Sequence, residues 1–259
     1  MNRQVVALAT NLMLVASSQS IAGSGCDTQS GPNTAALIEL YTSEGCSSCP
    51  PADKQLGRLP QMLDPAAEAV PLALHVDYWD YLGWKDRFAQ PRFALRQDWL
   101  ARANHRRAAY TPQFFVAGAE IQIWKDSLRD SVRRLNAKPA SATISLHATL
   151  SGDNVLTLDA KATTRADDDA TALYLAVAEN GLETRVKAGE NKDSVLAHDH
   201  VAREWLGPFR LNRGTIRARQ EIKLPTAWQR DRLETIAFVQ DEHTGSVLQA
   251  VRAAPCPGT

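Results

Sequence analysis

A buried-strand pattern that leads into a pair of cysteines constrains the fold of this chain more than any other feature. Residues 35–42 are nearly all apolar, as expected for a β-strand that is covered on both faces. Cys46 and Cys49 follow with two serines between them, and residues 51–59 carry apolar side chains at helical spacing. Pro60 is expected to end that helix. The order of strand, cysteine pair and helix predicts an α/β fold with a dithiol where the strand and the helix meet.

The chain continues to alternate strand and helix patterns as far as residue 138. A second apolar strand, a helix, a hairpin and a last helix are predicted over residues 70–77, 91–105, 113–124 and 126–135. Such alternation is typical of α/β domains. We therefore predict one α/β domain over residues 34–138.

The pattern changes near residue 140. Short alternating strands follow without helices between them, over residues 144–150, 155–162, 173–177, 182–186, 216–224, 233–239 and 246–251. Asn180–Gly181 is a strong signal for a hairpin between two of these strands. Regular short strands predict an all-β sandwich over residues 141–254, joined to the first domain near residues 137–141.

Several longer motifs resemble those of a known family. They are Leu37–Asp53, His75–Asp80, Leu82–Trp84, Tyr110–Gln113, Glu179–Leu182 and Gly189–Asn191. With these motifs the sequence resembles the secreted thioredoxin-like family known as domain of unknown function 1223. The resemblance implies a thioredoxin-like fold with an appended β domain, and it implies no particular substrate.

Thiol–disulfide exchange needs one thiolate that attacks and a second cysteine that resolves the mixed disulfide. Cys46 is predicted to be the accessible nucleophile, because backbone N–H groups and the positive helix end lower the pKa of its thiol below the free value of about 8.5. Cys49 is predicted to be the more shielded, resolving cysteine. Pro50 and Pro51 lack N–H groups and disfavour helical geometry in the residue before them. A weakened helix field and a non-helical Cys49 are therefore expected.

Two further groups of residues are predicted to face the substrate. The resemblance implies that the Thr111–Pro112 bond is cis and that Thr111 presents a backbone edge to an extended substrate. An ordinary trans proline at the start of an edge strand is the alternative. Asp77, Tyr78 and Trp79 follow the second strand, so parallel pairing brings them to the same sheet edge as the cysteine pair. Capping of the core is the alternative role for these residues.

Polar residues inside the predicted strands are expected to have structural roles. Thioredoxins carry a buried acid beneath the disulfide, and the resemblance aligns that position with Leu40, so Glu39 faces the other side of the strand. A polar partner is therefore expected for Glu39. His75 is expected to be a hydrogen-bonded core residue, and His198 and His200 to lie in a polar loop of the β domain.

The first residues of the chain predict secretion to the periplasm. A short positive segment, an apolar stretch of about 12 residues and small residues at the cleavage position indicate a signal peptide over residues 1–22. That stretch is shorter than the roughly 20 residues that span a bilayer, so no stable membrane anchor is expected. An oxidising compartment favours disulfides among the four cysteines, which allow three pairings. Because domain termini often lie close together, we expect a structural disulfide between Cys26 and Cys256, with unpaired ends as the alternative.

Charge and motifs narrow the function further. Lys and Arg number 29, as do Asp and Glu, so the formal net charge is zero and nucleic acid is not an expected partner. No bound organic cofactor is expected, and a closed zinc site would require a second cysteine pair or a suitable histidine pair. We predict a thiol–disulfide oxidoreductase that acts on protein or peptide cysteines together with a redox partner. The alternatives are a non-catalytic protein-binding module with a static Cys46–Cys49 disulfide, and a copper-binding chaperone, since thiolates favour Cu(I).

Overall fold

The computed structural model describes residues 26–165 and 170–258, and the signal peptide predicted over residues 1–22 lies outside them. The helices are α1 (Pro50–Gly57), α2 (Leu59–Met62), α3 (Pro91–Ala103) and α4 (Trp124–Asn136), with short 3₁₀ turns at Asp80–Leu82 and Arg230–Arg232. Within the described ranges, no helix has the length and apolarity needed to cross a membrane.

The strands account for most of the remaining structure. They are β1 (Asp27–Gln29), β2 (Ala36–Thr42), β3 (Ala69–His75), β4 (Gln113–Val116), β5 (Ala119–Ile121), β6 (Ala142–Leu150), β7 (Val155–Thr164), β8 (Thr171–Glu179), β9 (Leu182–Arg185), β10 (Val195–His198), β11 (Val201–Arg210), β12 (Thr215–Lys223), β13 (Leu233–Asp241), β14 (Val247–Ala253) and β15 (Cys256–Pro257).

The largest sheet contains strands from both halves of the chain. Its order is β14-β13-β8-β11-β3-β2-β4-β5. Strands β2 and β3 are parallel, and β11 joins β3 in parallel where Val201 lies opposite Ala73. The other pairings in this sheet are antiparallel. The boundary predicted near residues 137–141 therefore does not separate two sheets, because the α/β region and the β-rich region share one.

A second sheet packs on the β-rich half of the first. Its order is β1-β6-β7-β12, with β15 beside β6. Leu146 and Leu158 from this sheet share one buried cluster with Leu175 and Val177 from β8. These residues alternate with polar neighbours along β6 and β7, as a strand with one face on a core requires.

Helices cover both faces of the parallel half of the large sheet. On one face Ile38 packs with Leu56 of α1 and Leu128 of α4. On the other face Leu37 packs with Phe93 of α3. Successive side chains of a strand point to opposite faces, so a strand covered on both sides must be apolar throughout. This explains the continuous apolar run of β2.

Two local expectations were wrong. Pro60 does not end a helix but lies in the first turn of α2, where a proline loses no hydrogen bond. Asn180–Gly181 does not close a hairpin between β8 and β9, because β8 pairs with β11 and β13 while β9 pairs with β10. The Asn180 N–H donates to Arg232 O at 3.0 Å, and the Gly181 N–H donates to Asp199 Oδ1 at 2.8 Å. Distant residues therefore hold this turn away from the sheet.

Candidate functional site

The two cysteines lie where β2 leads into α1. The Cys46 N–H donates to Ser43 O and the Cys49 N–H donates to Cys46 O, both at 3.2 Å. The cysteines form a disulfide whose Cα atoms are 5.5 Å apart. Because β2 and β3 are parallel, with Thr42 opposite His75, this disulfide lies at the carboxyl ends of the two strands. Open α/β sheets place their functional sites at that edge.

Cys49 is the N-cap residue of α1 and has helical backbone angles, with φ −79° and ψ −37°. Its carbonyl oxygen accepts hydrogen bonds from the N–H groups of Ala52 at 2.8 Å and Asp53 at 3.1 Å. The expectation of a non-helical Cys49 was therefore wrong. Pro50 is the first residue of the helix, where its fixed φ is favourable and its missing N–H has no helical partner to lose. Together these effects outweigh the preference of a pre-proline residue for extended geometry.

Both cysteines are buried in the disulfide state. The exposed fraction is 1% for Cys46 and 0% for Cys49. The expectation that Cys46 is accessible is therefore wrong for this conformation. A loop from the β-rich half of the chain is hydrogen-bonded to the cysteine turn.

That loop is the cover segment, residues 186–194, which connects β9 to β10. Its ends are held together by hydrogen bonds from Val186 N–H to Ser194 O and from Asp193 N–H to Val186 O, at 3.0 and 2.9 Å. Gly189 has φ +74°, and a Cβ there would lie 3.2 Å from the Cβ of Trp84. Glycine therefore suits this position both for its backbone conformation and for the close approach of the tryptophan.

Two side chains fasten the cover segment to the cysteine turn. The buried Asn191 side-chain amide donates to Glu44 O at 2.9 Å and to Cys46 O at 3.0 Å. The Glu190 carboxylate accepts the backbone N–H of Ser47 at 2.9 Å. This hydrogen bond is the main reason why the pKa of Glu190 is lower than its ordinary value. Local sequence patterns indicate no role for Glu190 or Asn191, although both lie in a motif that carries the family resemblance.

Trp79 connects the cysteine turn to the predicted substrate edge. Its indole Nε1–H donates to Thr111 Oγ1 at 2.7 Å. A Cβ on Gly45 would lie 3.0 Å from the Cβ of Trp79, so the tryptophan lies directly against the turn. The Thr111–Pro112 peptide bond is cis. The structure thus brings Thr111 to Trp79, and Trp79 lies against the turn that carries the cysteines.

The other two predicted substrate residues lie less centrally. The Tyr78 hydroxyl donates to Gln97 Oε1 of α3 at 3.0 Å, and burial raises the pKa of Tyr78 to about 12. Asp77 is half-buried, and its carbonyl oxygen accepts the N–H of Asp80 at 3.0 Å. Tyr78 therefore braces the loop after β3 against α3.

A cluster of buried polar side chains lies around the cysteine turn, and only His75 among them was expected to be a hydrogen-bonded core residue. His75 Nδ1 lies 2.6 Å from Asp86 Oδ2, and that same oxygen accepts the backbone N–H of Glu44 at 2.9 Å. The His198 ring is 5.0 Å from the His75 ring, and its Nε2 is 3.4 Å from Glu44 Oε1 without hydrogen-bond alignment. His198 is buried at the end of β10, so its assignment to a polar loop was wrong, whereas His75 is hydrogen-bonded in the core as expected.

The charges in this cluster are set by burial and by pairing. Burial would raise the pKa of Asp86, but the charge and hydrogen bond of His75 lower it below its ordinary value. Burial would lower the pKa of His75, but the charge of Asp86 raises it above its ordinary value. Asp53 follows Cys49 by one helical turn, and burial raises the pKa of its carboxyl group. These directions describe a buried ion pair next to a carboxyl group that resists ionisation.

Glu39 has the polar partner that its position predicts. Its carboxylate accepts hydrogen bonds from the Arg96 guanidinium at 2.7 and 3.2 Å and from the Tyr41 hydroxyl at 3.2 Å. The guanidinium also lies 4.6 Å from the centre of the Trp205 ring. Glu39 therefore belongs to a buried ion pair that connects β2 to α3, on the opposite face of the sheet from Leu40.

The remaining cysteines form a disulfide between the two ends of the described chain. Cys26 and Cys256 have Cα atoms 5.0 Å apart. Cys26 O accepts the N–H of Ala148, and Cys256 lies opposite Thr149, so both cysteines lie beside β6. Among residues 26–165 and 170–258, no group of three or more His, Cys, Asp and Glu side chains is arranged to hold a metal ion.

Comparison with known proteins identifies the family of this chain. The family model described as protein of unknown function (DUF1223) matches residues 37–240. A search of curated proteins gave no match. Among solved structures, HBP35 of Porphyromonas gingivalis aligns with a TM-score of 0.69 and 18% identity, over 87% of this chain and 76% of that chain. Protein AGR_C_4864 from Agrobacterium tumefaciens aligns with a TM-score of 0.61 and 23% identity, over 85% of this chain and 94% of that chain. These likenesses show a shared fold, and the match to the family model, which spans most of the sequence, shows that the chain belongs to the DUF1223 family.

Proposed function

We propose that this protein is a secreted thiol–disulfide oxidoreductase with a thioredoxin-like α/β region, and that Cys46 and Cys49 are its redox centre. One observation carries the proposal: a disulfide between cysteines three residues apart, in the turn between a strand and a helix at the carboxyl edge of parallel strands. Two disulfides in one chain also support an oxidising compartment such as the periplasm.

The exchange follows from the two sulfur atoms. In the reduced protein the Cys46 thiolate attacks one sulfur of a substrate disulfide, that S–S bond breaks, and the departing substrate sulfur takes up a proton. The Cys49 thiolate then attacks Cys46 Sγ, which breaks the mixed disulfide and releases the second substrate thiol. Two electrons and two protons reach the substrate, and the Cys46–Cys49 disulfide forms. A dithiol redox partner restores the reduced state, and the same steps in reverse oxidise a substrate dithiol.

The surroundings of the cysteines support these roles. The Ser48 hydroxyl lies 3.3 Å from Cys46 Sγ and can donate a hydrogen bond to a thiolate there. Cys49 is the N-cap of α1 and is fully buried, which suits a resolving cysteine. Thr111 and Trp79 form the adjoining edge, where an extended protein or peptide substrate would lie.

The burial of both cysteines favours a second candidate. A protein-binding module with a static disulfide needs no access to its sulfur atoms, and the exposed fractions of 1% and 0% fit that requirement. In that case the Cys46–Cys49 bond only fixes the turn before α1.

Insulin reduction separates the two candidates. The purified protein is incubated with insulin and dithiothreitol, and the rate of insulin precipitation is compared for the wild type, Cys46→Ser, Cys49→Ser and the double variant Cys26→Ser/Cys256→Ser. We expect acceleration by the wild type and by the Cys26→Ser/Cys256→Ser variant, once circular dichroism has shown it to be folded, and none by Cys46→Ser. Pre-reduced Cys49→Ser, mixed with insulin after dithiothreitol has been removed, should be trapped as a mixed disulfide. Equal rates for Cys46→Ser and the wild type would leave the static disulfide as the better explanation.

A further inference from the structure

Access to the redox centre requires a movement at the cysteine turn. Exchange requires a thiolate to reach one sulfur atom of the disulfide, and both sulfur atoms belong to buried residues. The cover segment is bound to this turn, so its attachment bears on that movement. Within the described ranges, Glu190 and Asn191 provide the side-chain hydrogen bonds of that attachment.

Both side chains bind backbone groups of the turn. The Asn191 amide N–H groups occupy the carbonyl oxygens of Glu44 and Cys46, and the Glu190 carboxylate occupies the Ser47 N–H. An N–H donor and an oxygen acceptor a short distance apart are the groups that an extended peptide backbone offers. The cover segment thus forms, with the backbone groups of the cysteine turn, the same types of hydrogen bond that a bound peptide would form.

The hairpin that carries the cover segment is separate from the two larger sheets. Within the part of the chain that the structure describes, β9 and β10 pair only with each other. The loop between them keeps its shape through its own backbone hydrogen bonds between Val186 and both Asp193 and Ser194. It can therefore move away from the cysteines without breaking a strand pairing of either large sheet.

We propose that Glu190 and Asn191 form a gate, and that an extended peptide opens it by replacing both side chains on the backbone of residues 44–47. This inference rests on the proposed function and names its substrate class, which is an extended polypeptide segment that carries a cysteine. A small thiol without a peptide backbone lacks the groups that displace the gate. Glu190 and Asn191 are positioning residues in this scheme, because they act on access to Cys46.

The first test measures access by chemical reduction. One dithiothreitol thiolate attacks the Cys46–Cys49 bond and releases a protein thiol, and the second dithiothreitol sulfur closes its ring and releases the other, with dithiothreitol supplying both electrons. Rapid acid quench and mass-tagging of free thiols give the rate constant. We expect Asn191→Ala to raise this rate about tenfold, since two hydrogen bonds are lost, and Glu190→Gln to raise it less.

Matched variants keep the first test falsifiable. Lys192→Ala changes an exposed neighbour on the same loop and should leave the reduction rate unchanged. Asn191→Asp keeps the size of the side chain but removes both N–H donors, so it should act like Asn191→Ala even if the alanine variant folds poorly. Circular dichroism and the urea midpoint establish that each variant is folded. Wild-type rates in folded Asn191→Ala and Asn191→Asp would overturn the gate.

The second test measures the substrate class. Reduction of the wild-type disulfide by an unstructured peptide with one cysteine is compared with reduction by cysteamine, at equal thiolate concentrations. We expect the peptide to be preferred by the wild type, and the preference to fall about tenfold in Asn191→Ala. An unchanged preference would overturn the role of peptide backbone in opening the gate.

These outcomes are distinct from those of the insulin assay. Faster chemical reduction of Asn191→Ala supports the gate even if neither the wild type nor any variant reduces insulin. The absence of insulin reduction would contradict the oxidoreductase function but not the gate. Insulin reduction by the wild type with unchanged access in both Asn191 variants would remove the gate and leave the oxidoreductase function in place.

Discussion

The two disulfides of this protein differ both in sequence separation and in burial. Cys26 and Cys256 are 230 residues apart and only half-buried, whereas Cys46 and Cys49 are three residues apart and buried. The first joins the two ends of the described chain beside β6, and the second lies under a loop from a distant part of the sequence. Exposure alone would rank the terminal disulfide as the more reactive one.

Burial and chemical role are therefore separate properties in these two disulfides. The cysteine turn is tied to one loop through two side chains. The terminal disulfide is half-buried, and its importance lies in the long stretch of chain that it closes. If the short disulfide is the proposed redox centre, removing the terminal disulfide should affect mainly stability, and changes beside the short one should affect mainly reaction rate.

The largest expected effect is on stability, and it comes from the terminal disulfide. In the chain-entropy model the cost of closing a loop grows with its length, so removing a link over 230 residues should cost about 5 kcal/mol of unfolding free energy. Urea unfolding of Cys26→Ala/Cys256→Ala without reductant measures this loss. A loss below about 1 kcal/mol would contradict the assignment of this disulfide to stability.

The buried ion pair beside the cysteine turn should have the next largest effect. Asp86→Asn removes the charge that faces His75 at 2.6 Å, and breaking a buried pair costs about 3 kcal/mol. Asp64→Asn is the matched control, because Asp64 pairs with Arg129 on the surface and should cost no more than about 1 kcal/mol. Equal losses in the two variants would contradict the importance of the buried pair.

The same pair predicts the shape of the stability curve against pH. The pKa of Asp86 is lowered by His75 in the folded state, so its contribution is present above the ordinary value near 3.9 and is lost as pH falls through the lowered value. The pKa of His75 is raised, so its contribution is present below about 6.5 and is lost as pH rises through the raised value. The pair should therefore stabilise the fold most between about pH 4 and 6.5, and Asp86→Asn should lower stability in this range and reduce its fall on either side. Urea midpoints measured from below pH 4 to above pH 6.5 test the change.

Local sequence patterns predicted the elements that carry the cysteines. The apolar run of β2 reflects helices on both faces of the sheet, and α1 and α3 begin at prolines within a residue of the predicted positions. These features depend on near neighbours in the sequence, which is why periodicity and helix-start signals find them.

The features that local sequence patterns did not predict depend on contacts between residues far apart in the sequence. The gate residue Asn191 is 145 residues from Cys46, and no periodicity connects the two. The shared sheet depends on one parallel contact between Val201 and Ala73, which a division of the chain by composition does not reveal. His198 is buried where β10 lies beside α1 and where its ring packs against the rings of His75 and Phe88. In each case a tertiary contact overrides a local preference, and the site is assembled from those contacts.

The short disulfide should contribute less stability than the terminal one. Its loop contains only a few residues, so the chain-entropy model gives about 2 kcal/mol for its removal. Cys46→Ala/Cys49→Ala should therefore unfold at a higher urea concentration than the terminal double variant, measured under the same conditions. The reverse order would show that the turn before α1 depends on its disulfide more than loop closure explains.

The smallest expected effect is on rate, and it tests whether the buried disulfide is tuned for reaction. Ser48 Oγ lies 3.3 Å from Cys46 Sγ, and a hydroxyl donor stabilises a thiolate but adds little to a disulfide. Ser48→Ala should slow the reaction of the reduced protein with a small disulfide such as 5,5′-dithiobis-(2-nitrobenzoate) about threefold, with an unchanged urea midpoint in the oxidised state. Ser48→Thr keeps the hydroxyl and should restore the rate. If Ser48→Ala lowers stability and leaves the rate unchanged, then Ser48 serves the fold of the turn, and the division between a stabilising and a reactive disulfide loses one of its supports.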